Sequence, residues 1–146
     1  MHILITILWF VGGQIACEEP MTINEDGAGI YFTTDTDSLF YSTQNFMNNK
    51  IVYEKGNRAV ILSSLPQRIR AETPFVINIV SLSEKCKLVK RGFTNRNEAT
   101  SAPYQVDVID DKILIIGIKG AAIDSIEINN ENAYDRLKEY FWEVKR

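Results

Sequence analysis

The sequence predicts a β-rich α+β domain: a mainly antiparallel sheet or sandwich with a C-terminal amphipathic helix packed on it. Three observations carry this. Short runs rich in Ile, Val, Tyr and Phe, about six to eight of them, follow one another between Gly, Asn and Asp turn signals. Helical spacing of apolar residues is clear only in the last segment. Strand-like and helix-like stretches do not alternate, which argues against a doubly wound parallel sheet.

The chain opens with an apolar run over residues 3–11, interrupted by Thr6 and closed by Gly12-Gly13. It is shorter than the roughly 20 apolar residues that a bilayer span needs. A short apolar core at the N-terminus followed by small residues has the form of a secretory signal, so residues 1–16 are expected to be a leader. Its flank has no Lys or Arg, only the α-amine and His2. Ile15-Ala16-Cys17 resembles the end of a bacterial lipoprotein signal, which implies a lipid on Cys17; Gln14 departs from the aliphatic residue of that pattern. Ordinary cleavage after Ala16 instead leaves Cys17 and Cys86 as the two thiols of the chain, which an oxidising compartment joins. The two fates of Cys17 exclude each other, and the sequence leaves both open. Either one places the domain outside the cytoplasm: periplasmic, at the cell surface or secreted.

Residues 17–29 are polar and read as a tether; residues 30–146 read as one globular domain, of a size that holds a real core. Residues 30–32 form a short strand. Over residues 35–50, Asp35 or Asp37 caps and Leu39, Phe40, Phe46 and Met47 recur at offsets of seven, which predicts a short helix. Residues 51–53 and 59–62 flank Gly56-Asn57 as a hairpin. Pro66 and Pro74 bracket an extended piece around Arg68 and Arg70. Residues 75–82 are apolar on both faces and predict a central strand, followed by another over 86–93. Residues 94–103 form a polar loop. Residues 104–109 alternate as a half-exposed strand, Asp110-Asp111 turns the chain, and 113–118 predict a second central strand. Lys119-Gly120 turns it again toward 122–128. Finally, Asn129 or Asn130 caps a helix on which Tyr134, Leu137, Phe141 and Val144 form one stripe, with Glu131 early and Lys145-Arg146 late to suit the dipole.

The net charge of −3 conceals a segregation. Residues 17–49 hold six acids and no base, residues 50–96 have a balance of +7, and residues 97–146 one of −4. His2, the only histidine, leaves with the leader. The remaining chain therefore has no imidazole for a Ser-His-Asp or Cys-His pair and no His-based metal cluster. Asp35-Thr36-Asp37 begins like a calcium loop, but Leu39, Phe40 and Phe46 occupy the next ligand, glycine and bidentate positions, so the loop fails. Residues 115–126, centred on Gly117-Ile118-Lys119-Gly120, resemble the core of a KH RNA-binding domain, whose GxxG loop clamps a nucleic-acid backbone. The resemblance implies a helix on each side of the loop. The flanks here read as strand and are acidic, which repels phosphate, so a hairpin turn without a nucleic-acid partner is expected.

In the basic middle, Arg68 and Arg70 share a face by period two, as do Lys85, Lys87 and Arg91. Together they suit phosphate, sulfate or carboxylate groups. The sequence thus points to a non-enzymatic, extracytoplasmic binding protein, inhibitor- or immunity-like, that uses a basic sheet face made of Arg68, Arg70, Lys85, Lys87 and Arg91. Its expected partner is another protein or an anionic envelope polymer, with a membrane engaged only through a lipid on Cys17. No cofactor and no metal are expected. Two alternatives remain: a structural envelope lipoprotein, and a small glycan hydrolase using carboxylates among Asp107, Asp110 and Asp111.

Overall fold

The computed structural model describes residues 17, 20–42, 48–64 and 73–145. The leader and the pair Arg68 and Arg70 lie outside the described residues. Eleven described strands form three antiparallel sheets. The first sheet, in the order β1-β2-β3, consists of β1 (Thr22–Glu25), β2 (Gly29–Thr33) and β3 (Ser38–Ser42). The second is five-stranded, in the order β11-β7-β6-β5-β4, from β4 (Asn48–Lys55), β5 (Arg58–Ser64), β6 (Phe75–Leu82), β7 (Leu88–Thr94) and β11 (Trp142–Glu143). The third, β10-β9-β8, is built from β8 (Gln105–Ile109), β9 (Lys112–Ile116) and β10 (Ala122–Glu127). One helix, α1 (Ala133–Lys138), precedes β11.

The five-stranded sheet is the middle layer, because its central strands are apolar on both faces. On β6, Ile77 and Ile79 face a core shared with Ile113 and Ile115 of β9, Ile126 of β10 and Leu137 of α1. Val80 of the same strand joins Ala59 and Ile61 against Ile30 and Phe32 of the first sheet. Strand β5 splits in the same way, Val60 to one core and Ile61 to the other. Each such aliphatic or aromatic side chain stabilises the fold by about 1.5–3 kcal/mol relative to an exposed one.

The architecture is the expected one, and so are its main turns. Gly56 sits at φ +59° between β4 and β5, Asp110 at +54° between β8 and β9, and Gly120 at +79° between β9 and β10. Gly117 to Gly120 therefore joins two antiparallel strands, not the two helices of a KH core.

Four local expectations are corrected. The 17–29 tether contains strand β1, paired with β2 from Thr22↔Thr33 to Glu25↔Ile30, because Met21 and Ile23 alternate with polar residues and enter the core. The helix over 35–50 is replaced by β3 and the start of β4: Leu39 and Tyr41 point inward on either side of exposed Phe40, a period of two that outweighs the spacing of seven. Phe46 and Met47 fall outside the described residues. The strand over 86–93 starts only at Leu88, since Cys86 has φ +59° and its N–H donates to the Ser83 carbonyl in a tight turn.

The C-terminal helix is six residues long. Asn129 does not cap it but donates through Nδ2 to the Tyr53 hydroxyl at 2.6 Å, and the Asn130 carboxamide accepts the Asn132 N–H at 3.1 Å. Beyond Phe141 the chain pairs with the open edge of β7, Trp142 against Thr94 and Glu143 against Phe93. An aromatic, β-favouring run beside an unfilled strand edge gains ladder hydrogen bonds that a further helical turn would forgo. Val144, assigned to the helical stripe, is consequently 40% exposed.

Candidate functional site

The turn between β6 and β7 is the point where the proposed basic residues meet the cysteine chemistry. Cys17 and Cys86 form a disulfide with Cα atoms 5.5 Å apart. It ties the start of the described chain to a turn that is already internally bonded: the Ser83 N–H donates to the Lys87 carbonyl at 2.8 Å, and the Lys87 N–H to Ser83 Oγ at 3.2 Å. A third tie comes from the first sheet, where Asp37 Oδ2 accepts the Leu88 N–H at 2.7 Å. Lys85 and Lys87 project from this clamped turn and are exposed. Of the two fates the sequence leaves open for Cys17, the structure shows the disulfide. A persistent disulfide fits an oxidising, extracytoplasmic compartment. No helix among the described residues is long and apolar enough to cross a membrane.

Arg91 does not join the two lysines. It lies on the opposite face of β7 from Lys90 and is half-buried under the C-terminal segment. Its guanidinium donates to both carboxylate oxygens of Glu143, at 2.5 and 3.2 Å, and lies 4.1 Å from the centre of the Tyr134 ring. The hydrogen bond from Arg91 holds the Glu143 carboxyl below its ordinary range. Arg58 approaches the same ring at 5.3 Å and donates to the Ile128 carbonyl. Both arginines thus fasten α1 and β11 to the middle sheet.

The acids of the hydrolase alternative are dispersed into local roles. Asp107 Oδ1 accepts the N–H of the next residue, Val108, at 2.9 Å, Asp110 occupies the left-handed turn position, and Asp111 pairs with Lys55 at 3.5 Å. Asp35 and Asp37 belong to the β2–β3 turn, residues 33–38, which lines a surface depression of about 360 Å³. Within it the Thr34 hydroxyl accepts the Asp37 N–H at 3.0 Å.

One polar cluster was not singled out by the sequence reading. Asp124 of β10 accepts from Arg136 of α1 and, at 2.5 Å, from the Tyr140 hydroxyl; Tyr140 in turn meets Tyr104 edge-on with ring centroids 5.2 Å apart. The Tyr140 hydroxyl first, then the Ser125 N–H and Arg136, hold the Asp124 carboxyl below its ordinary range despite opposing burial. The only signal in sequence is a spacing of four between Arg136 and Tyr140, which puts them on one helical face.

The pH dependence follows. Asp124 and Glu143 both have folded-state pKa values below the unfolded ones, so their contribution is complete above about pH 5, well clear of the unfolded carboxylate values near 4. It is lost as the pH falls through the folded values, where the native state must take up protons later than the unfolded chain does. The urea midpoint is therefore expected to stay level from pH 7 to 5 and to drop below pH 4, with a shallower drop in Asp124→Asn. Equilibrium unfolding across this range checks it; equal acid slopes in both proteins would contradict the assignment.

No protein-family model, curated protein or solved structure matches the chain.

Proposed function

We propose that this chain is a non-enzymatic binding protein of an extracytoplasmic compartment, inhibitor- or immunity-like, that meets an acidic protein through the β6–β7 turn. The observation that carries this reading is the Cys17–Cys86 disulfide, which holds a turn bearing two exposed lysines in one shape. Preformed cationic loops favour association because little conformational entropy is lost when they dock, and opposite charge speeds encounter. Of the five basic residues of the expected face, Lys85 and Lys87 are exposed on this turn, Arg91 is engaged by Glu143, and Arg68 and Arg70 lie outside the described residues.

A photoreactive amino acid placed at exposed Glu84 tests this in the native host. It is expected to yield one dominant adduct with an acidic protein, and Lys85→Glu with Lys87→Glu should cut its yield about tenfold or more. An adduct whose yield is unchanged by the charge reversal would place the contact elsewhere.

A further inference from the structure

The outer face of the first sheet is unlike the rest of the surface. Its inward side is accounted for by Ile23, Ile30, Phe32, Leu39 and Tyr41, all in the core against the middle sheet. The outward side consists of three rows across the strands: Thr22, Thr33 and Ser38; Asn24, Tyr31 and Phe40; and Gly29 with Ser42. None of these residues is charged, in a chain where the same N-terminal stretch is rich in acids. The acids sit in the turns and at the strand end instead, at Glu25, Asp26, Asp35 and Asp37.

Tyr31 and Phe40 form an aromatic pair in the middle of this face, with centroids 4.8 Å apart and ring planes inclined by 34°. Phe40 is 50% exposed. Its ring lies across Gly29: a Cβ at Gly29 would stand 2.5 Å from Phe40 Cε2 and 2.9 Å from Cζ. Glycine is therefore what lets both the Tyr41 carbonyl and the Phe40 ring lie against this strand. Phe40, half exposed beside Tyr31, offers solvent an aromatic surface of the kind on which the C–H face of a pyranose stacks. The hydroxyl row Thr22, Thr33 and Ser38 is two residues along the strands, about 7 Å away. That is within reach of the hydroxyls of a sugar resting on the rings. Thr22 and Thr33 are already paired through their hydroxyls at 2.5 Å, which fixes their orientation.

We propose that this face is a binding surface for a neutral pyranose chain, stacked on Tyr31 and Phe40 and hydrogen-bonded by Asn24, Thr22, Thr33 and Ser38. Two arguments select this occupant. The face carries dipoles but no charge, complementary to a neutral polyol and not to a phosphate or a charged protein patch. It presents eight outward residues, fewer than the roughly 20–30 a side of a stable protein interface. A glycan chain one sugar wide fits such a strip. The site is separate from the Lys85–Lys87 turn, and neither proposal depends on the other.

The test is titration of the full disulfide-bonded chain with neutral hexasaccharides of β-linked glucose and of β-linked N-acetylglucosamine, followed by amide NMR. Binding of at least one is expected, with shifts confined to β1, β2 and β3, and Phe40→Ala should weaken it about tenfold or more. Phe40→Leu keeps an apolar cover over Gly29 and removes the π face; it should lose binding to the same extent while its spectrum stays folded. Lys85→Glu with Lys87→Glu should bind the sugar like the wild type. No shifts with either sugar up to 10-fold molar excess at millimolar protein, binding retained by Phe40→Leu, or a Phe40-dependent dimer in sedimentation would each overturn the proposal.

Discussion

Replacing Cys17 and Cys86 together by serine is expected to lower the stability of the chain by about 4 kcal/mol. The bridge closes a sequence separation of 69 residues, and the loop-entropy relation for a closure of that length gives about 4 kcal/mol at 25 °C. The stabilisation acts on the unfolded ensemble, so it should reappear under reducing conditions as the difference between oxidised and reduced wild type. Two features argue that the native state changes little on opening. The turn around Cys86 keeps its own hydrogen bonds from Ser83, and Asp37 still accepts the Leu88 N–H. Urea unfolding of wild type with and without reductant, beside the double serine variant, measures this directly. Three coincident curves would mean that the bridge contributes nothing. A loss near 4 kcal/mol is a large part of the stability of a small domain.

The parts of the fold legible in sequence were those decided by local pattern. Residues 75–82 and 113–118 read as central strands because both faces are apolar, and the strands found there, Phe75–Leu82 and Lys112–Ile116, are central to their sheets. Gly56, Asp110 and Gly120 read as turns because few residues adopt positive φ cheaply, and all three do. What escaped was decided by contacts distant in sequence. The stripe Tyr134, Leu137, Phe141 satisfies a helical period, yet the edge of β7 takes Trp142 and Glu143 into the sheet. Period two grouped Arg91 with Lys85 and Lys87, but the strand starts only at Leu88, and alternation cannot say whether a face is covered. The cover, Glu143 and Tyr134, lies more than forty residues on. The fate of Cys17 was equally undecidable from the residues near it, since its partner is brought close only by the turn before β7. Lys85 and Lys87, by contrast, stay exposed because nothing in the turn reaches them.

Phe93→Ala is expected to cost about 3–5 kcal/mol, the range for truncating a fully buried aromatic. Phe93 is wholly buried on β7, facing the core that holds β9 and α1. Its ring stacks on Tyr134 at 6.2 Å with planes 17° apart, and the Arg91 guanidinium lies 5.8 Å from its centre. Removing it leaves a cavity and takes the floor from under the Tyr134 ring on which Arg58 and Arg91 both rest. The backbone of the same residue pairs with Glu143, so β11 loses its packing while keeping its ladder. The damage should therefore be largest at the C-terminal segment: hydrogen exchange at Leu137 and Phe141 should accelerate more than at Ile30 and Phe32, which belong to the core on the other side of the sheet. A uniform acceleration across both cores would show that the two layers unfold as one unit. A global loss below about 1 kcal/mol would show that the core collapses onto the site and that the stack on Tyr134 does not hold the helix in place.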